Sequence, residues 1–195
     1  MEPFVYALLI ATSIVGLTFV IERGFALRWG KVLPPAVEAA VQSCRSREDV
    51  PKLRRVCQEH PSALSRLLLL AIDHLDWSRA DVEDALQTQA RREIVRLERG
   101  LVVLEVIVGI APLLGLVGTI AGMMELFRNV GQTGLGDAMQ LARGISLILN
   151  ATLVGLLIAI PSLIFWSYYT KKVEAMSVEL ETLCAEFIRR QYGQG

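Results

Sequence analysis

The sequence predicts an all-α integral membrane protein with three transmembrane helices and long cytoplasmic helical extensions. Composition is the first observation behind that reading. The 195 residues are 53% hydrophobic and 21% charged, with a mean hydropathy of +0.45, whereas soluble domains run at about 45–50% apolar and about 25% charged. Distribution is the second. Residues 4–21, 106–124 and 144–170 contain no Asp, Glu, Lys or Arg, and each run suffices for the roughly 17–25 helical residues that cross ~30 Å of hydrocarbon. The third is physical: in lipid only helices and closed barrels satisfy their backbone, and unbroken apolar runs are helical.

Taken in order, residues 1–21 form the first transmembrane helix. Only Glu2 precedes the apolar run and no small-x-small pattern follows it, so it reads as a span and not as a cleaved leader. Arg23, Arg28, Lys31, Arg91, Arg92, Arg96, Arg99, Lys171 and Lys172 flank the spans on one side, against Arg128 and Arg143 on the other. The positive-inside rule then places the N-terminus outside and both residues 22–99 and the C-terminus in the cytoplasm. Residues 22–99 read as a cytoplasmic helical region punctuated by Pro34, Pro35, Pro51 and Pro61, each a boundary or first-turn position. Ser78-x-x-Asp81 resembles a capping box that starts a helix near Arg79. No Gly or Pro follows until Gly100, so the helix is expected to continue into the second span, 100–127. A helix over 79–127 would measure ~73 Å.

Residues 128–140, rich in turn formers, are expected to be a short outer loop that makes an antiparallel hairpin with the third span, 141–170. Residues 171–195 form a cytoplasmic C-terminal helix whose Val173, Met176, Leu180, Leu183 and Phe187 recur at three- and four-residue spacing, the mark of one buried face.

Several classes are excluded. Twenty basic against twenty acidic residues leave no excess for nucleic acid. Three cysteines without paired spacing do not staple a secreted fold. Cys44, Cys57, His60 and His74 lack the repeated ligand spacing of zinc sites and read as ordinary reduced thiols and imidazoles. No phosphate loop, nucleophile elbow or metal-protease motif is present, so no enzyme is expected. Trp29, Trp166, Tyr168 and Tyr169 fit an interfacial aromatic belt. Arg91, Arg92, Arg96 and Arg99 suit anionic lipid headgroups and the positive-inside rule equally.

The candidate site lies in the second and third spans, because polar groups in lipid are costly. Span two carries Pro112, Gly115, Gly118, Thr119 and Gly122, and span three carries Ser146, Asn150, Thr152, Gly155, Pro161 and Ser162. Measured from Gly115 and Gly155 as midpoints, Thr119 lies ~6 Å and Thr152 ~4.5 Å toward the outside, nearly one level. At 100° per residue Pro112, Gly115, Thr119 and Gly122 share one stripe, and Thr152, Gly155 and Ser162 another. Two readings stand: close helix packing with back-bonded hydroxyls, in which Gly118-x-x-x-Gly122 is a packing motif, or a water- or ion-lined crevice.

The runs Ala111-Pro-Leu-Leu-Gly-Leu-Val-Gly-Thr-Ile-Ala-Gly-Met-Met-Glu-Leu-Phe127 and Ala151-Thr-Leu-Val-Gly-Leu-Leu-Ile-Ala-Ile-Pro-Ser162, with Glu22-Arg23 after the first span, resemble the MotA/TolQ/ExbB proton-channel family. The match is to the three-span TolQ/ExbB branch and covers essentially the whole chain. The resemblance implies a homopentamer in the bacterial inner membrane, with spans two and three around a pore. That pore would hold two copies of an ExbD/TolR-like single-span partner whose aspartate titrates. Protons or sodium would be the transported species, with no cofactor, and their gradient would drive envelope work such as TonB-dependent-type transport, envelope maintenance or motility. Thr119 and Thr152 would be the hydroxyls near the partner aspartate, and Pro112 and Pro161 the intramembrane prolines. One position departs: Leu147 stands where TolQ and ExbB have a glutamate, five residues before the third-span threonine. Asn150 is the nearest polar substitute, and an amide can hydrogen-bond but not relay a proton. Ser146 joins it as a candidate pore-lining residue, and Glu105 reads as an inner exit of the ion path or as a solvated boundary carboxylate. A non-conducting helical membrane scaffold is the alternative function.

Overall fold

The computed structural model describes residues 2–133 and 138–193, and every regular element among them is helical. In chain order these are α1 (Glu2–Ala26), α2 (Trp29–Val32), α3 (Pro35–Ser43), a 3-10 turn (Arg47–Asp49), α4 (Val50–Glu59), α5 (Ala63–Asp73), α6 (Arg79–Glu98), α7 (Leu101–Thr133) and α8 (Ala138–Tyr192). Three of them, α1, α7 and α8, are long and apolar enough to cross a membrane, which makes this an all-α membrane protein.

Local chemistry explains the starts. Pro35 opens α3 and Pro51 sits in the first turn of α4, where a missing N–H costs nothing. The Ser62 hydroxyl accepts from the Ser65 N–H at 3.1 Å to begin α5. Ser78 accepts from the Asp81 N–H at 3.3 Å and donates to its carboxylate at 2.6 Å, which begins α6.

Two expectations are corrected. The helix expected over 79–127 is interrupted by a turn at Arg99 and Gly100. Glycine propagates a helix poorly, and here it also makes room, since a side chain at Gly100 would run into the guanidinium of Arg23. The outer loop expected over 128–140 is helical at both ends, through Thr133 in α7 and from Ala138 in α8; residues 134–137 lie outside the described residues. Turn formers permit a turn without forcing one, and an established helix adds residues cooperatively through a glycine such as Gly131. α8 likewise passes the expected boundary at 170/171 without a break, for 55 residues in all.

The chain divides into two compact units. The membrane unit comprises the chain through Arg23 and Gly100–Tyr168. On α7 its buried positions are Leu101, Leu104, Ile107, Ala111, Gly115, Gly118, Ala121 and Gly122, and on α8 they are Ile148, Ala151, Gly155, Ala159 and Ser162. This three-and-four spacing leaves the remaining apolar faces outward, as lipid or another subunit requires.

The bundle unit comprises Gly24–Arg99 and the chain from Tyr169. Its core gathers α2–α6 around the C-terminal part of α8, where Val173, Met176, Leu180, Leu183 and Phe187 are all buried. Each such side chain contributes about 1.5–3 kcal/mol by leaving water. Burial pushes the thiol of Cys57 up to about 11 and that of Cys184 up to about 12, so both stay protonated and unreactive. Glu93 is 1% exposed and receives Arg66 in a two-pronged pair at 2.9 and 2.5 Å, Gln89 at 3.1 Å and Arg96 at 3.2 Å. Burial alone would raise its pKa. The hydrogen bonds and charge of Arg66, helped by Arg96 and Gln89, outweigh that and hold the carboxyl below its ordinary value.

Candidate ion-path site between two spans

In the membrane unit α7 and α8 touch backbone to backbone. A Cβ built on Gly155 would stand 2.5 Å from the Ala111 carbonyl oxygen and 3.2 Å from the Cα of Gly115. One on Gly115 would stand 2.8 Å from the Ala151 carbonyl oxygen and 2.9 Å from the Cα of Thr152. No side chain larger than hydrogen fits at either position. Gly118 meets the methyl of Ala151 and Val5 of α1 in the same way.

This approach sets the threonines. With the helices so close, the hydroxyls of Thr119 on α7 and Thr152 on α8 hydrogen-bond to each other. Both also reach the Gly115 carbonyl, from Thr119 Oγ1 at 3.2 Å and from Thr152 Oγ1 at 3.3 Å. Gly115 therefore has two jobs, clearance for α8 and an acceptor for both hydroxyls. The close packing and the back-bonded hydroxyl of Thr119 both belong to the packing reading of the sequence; the second hydroxyl on the same carbonyl, from Thr152 of the other helix, was not in it.

Three oxygens converge with two hydroxyl protons between them. One arrangement has one hydroxyl donating to Gly115 and the other donating to the first hydroxyl. Three of the four hydroxyl lone pairs then stay open. Both threonines are half-buried, so that acceptor capacity can be reached from outside the chain. The cluster can receive a hydrogen bond from a protonated group or coordinate a small cation. It cannot hold a proton itself, because neither residue titrates in the physiological range.

The remaining candidates are placed as follows. Pro112, half-buried, and Pro161, exposed, each sit inside an unbroken helix. Gly122 is buried with Gly115 and Gly118. Glu105, Ser146 and Asn150 are exposed, and none is among the partners of the threonine pair. Leu147, where TolQ and ExbB have the glutamate, is 66% exposed.

The MotA/TolQ/ExbB proton channel family matches residues 59–182, which include both threonine-bearing motifs. This chain belongs to the MotA/TolQ/ExbB proton channel family. With three helices long and apolar enough to cross a membrane, it is a multi-pass membrane protein of that family.

Among individual relatives of the family, an ExbB-like biopolymer transport protein of Synechocystis sp. is 34% identical over 166 residues, covering 80% of this chain and 63% of its own. The biopolymer transport protein ExbB of Helicobacter pylori is 41% identical over 81 residues, covering 42% of this chain and 56% of its own. The Tol-Pal system protein TolQ of Pseudomonas aeruginosa is 26% identical over 193 residues, covering 92% of this chain and 82% of its own. The chain thus spans less than two thirds of the length of these two ExbB-type relatives. By name these relatives are biopolymer transport and Tol-Pal system proteins.

Proposed function

We propose that the chain is the subunit of a pentameric ion-channel stator in the bacterial inner membrane, coupling a proton or sodium gradient to mechanical work on the cell envelope. The observation that carries this reading is the Thr119–Thr152 hydroxyl pair on the Gly115 carbonyl. Two apolar spans converge on three oxygens, yet residues 106–124 and 144–170 contain no charged side chain. Oxygens with open lone pairs in lipid suit a group that arrives charged or protonated from another chain. In this reading that group is the aspartate of a single-span partner, two copies of which stand in the pore. The threonines stabilise its protonated form by accepting its O–H, or hold sodium through their oxygens, and no proton passes through the threonines themselves.

Leu147 fits the same scheme. With no glutamate there, the partner aspartate is the titrating group at this depth, and Ser146, Asn150 and Glu105 line the path as polar or solvated positions.

The test co-expresses the chain with a single-span protein of the ExbD/TolR type and reads gradient-driven ion flux in liposomes. Thr152→Ala is expected to abolish the flux and leave the oligomer assembled. Wild-type flux from that variant would remove the threonine pair from the mechanism. An intact oligomer of the unaltered chain and its partner with no flux would favour a non-conducting scaffold, in which glycines and threonines only pack helices.

A further inference from the structure

The bundle unit carries two exposed stripes that mirror one another. On α6, Val95 is 65% exposed, with Arg92 three residues before it and, at the helix's C-terminal cap but still with helical dihedrals, Arg99 four residues after it. On α8, Val178 is 63% exposed, with Glu181 three residues after it and Glu174 four residues before it. At helical periodicity each trio lies along one face. Arg92, Arg99 and Glu181 are exposed and make no ion pair among the described residues. Glu174 pairs with Lys171 at 2.8 Å across exposed surface, an interaction that exchanges readily.

The two helices run antiparallel. The Tyr192 hydroxyl near the end of α8 donates to the carbonyls of Leu75 and Trp77, just before α6. Farther along, Arg91 of α6 and Glu181 of α8 line one groove of 330 Å³. Val95, four residues past Arg91, and Val178, three before Glu181, therefore stand at one level. Antiparallel pairing at that level puts Arg99 opposite Glu174 and Arg92 opposite Glu181, an apolar contact between two opposite-charge pairs. Within one chain both stripes face outward. In a ring whose axis runs along these helices, rotation leaves levels unchanged, and the α6 stripe of one copy meets the α8 stripe of the next.

We propose that neighbouring copies of this chain meet through Arg92 and Val95 of α6 and Arg99 at its C-terminal cap on one copy, and Glu181, Val178 and Glu174 of α8 on the next. The contact joins different faces, so it is heterologous, the kind that builds a ring when its rotation closes. It rests on the ring assembly proposed above. An anionic lipid surface would reward the arginines but repel the glutamate stripe; a second copy satisfies both.

The experiment is disulfide cross-linking of the full chain in membranes. Cys44, Cys57 and Cys184 are buried, so V95C and V178C would supply the accessible thiols. The double variant is expected to give a ladder of covalent oligomers ending at the ring size, while each single variant stays monomeric on a denaturing gel. R92E/R99E in the double-cysteine background should suppress the ladder, and adding E174R/E181R should restore it. An oligomer of native size with no ladder from the double variant would overturn the contact, as would a ladder indifferent to charge reversal. Flux with the partner is read on the same vesicles. A ladder without flux would sink the channel reading and leave the contact standing, and flux without a ladder would do the reverse.

Discussion

Glu93 shows how much one buried carboxylate decides. It is removed from water, while Arg66 is 46% exposed and Arg96 65%, so the pairing joins an interior charge to two partly solvated ones. Removing a partner from a buried pair costs about 3–5 kcal/mol when both members are buried, and the exposure of Arg66 brings the expected loss for Arg66→Ala to about 2 kcal/mol. The pH dependence follows from the depressed pKa of Glu93. A carboxyl whose folded pKa lies below its unfolded value contributes stability that is complete above the unfolded pKa, about 4.5, and is lost as pH falls through the folded one. Acid unfolding in detergent, followed by circular dichroism, should therefore steepen below pH ~4.5, and Glu93→Gln should flatten that limb while lowering stability near neutrality. An unchanged acid limb in Glu93→Gln would show that another carboxylate sets it. The threonine pair makes a second test at this scale. Thr119→Ser keeps the oxygen and should retain flux with the partner; Thr119→Val keeps the shape, loses the oxygen and should abolish flux. Equal flux from both would show that only packing matters there.

Among the elements, glycines separate contact from clearance. Gly155 has no room for a methyl, because the Ala111 carbonyl and Gly115 occupy the space, whereas Gly109 in the same unit has nothing within 4 Å of a built Cβ. Gly155→Ala should force α7 and α8 apart and lower the melting temperature in detergent, while Gly109→Ala should be neutral or stabilise by up to about 1 kcal/mol through helix propensity. Tolerance of alanine at both would mean that the helices are not held at backbone contact. The elements themselves were largely legible: proline positions marked the starts of α3 and α4, Ser78 marked α6, and the stripe from Val173 to Phe187 marked the buried face of α8. The turn at Arg99–Gly100 was not: glycine permits a break without dictating one, and the Arg23 side chain that lies against Gly100 is some 77 residues away in sequence. For the same reason the level of Thr119 and Thr152 followed from helix rise, but their shared acceptor needed the distance between two helices. The Arg66–Glu93 pair, 27 residues apart, carries no periodic signal, and sequence reasoning left Arg96 in a generic basic cluster.

At the scale of the whole molecule, neutrality conceals a division. Of the twenty basic residues fourteen lie in 22–100, as do twelve of the twenty acidic ones, while the three apolar runs hold none. A group that exchanges protons within the hydrocarbon must have a pKa in reach of ambient pH, and the middle of spans two and three offers only hydroxyls, an amide and backbone carbonyls. The chain alone should therefore be proton-tight. In liposomes carrying a pH-sensitive dye, the purified oligomer without its partner should hold an imposed pH gradient as long as empty vesicles do. Adding the partner should collapse the gradient, with a pH dependence that disappears when the partner's intramembrane aspartate becomes asparagine. Glu105 and Glu125 are the carboxylates that flank the run 106–124, so the doubly substituted Glu105→Gln, Glu125→Gln chain serves as the control. If its flux with the partner titrates as the wild type does, the titrating group lies on the partner. Collapse of the gradient by the chain alone would place a proton carrier within its own spans, where the sequence provides none.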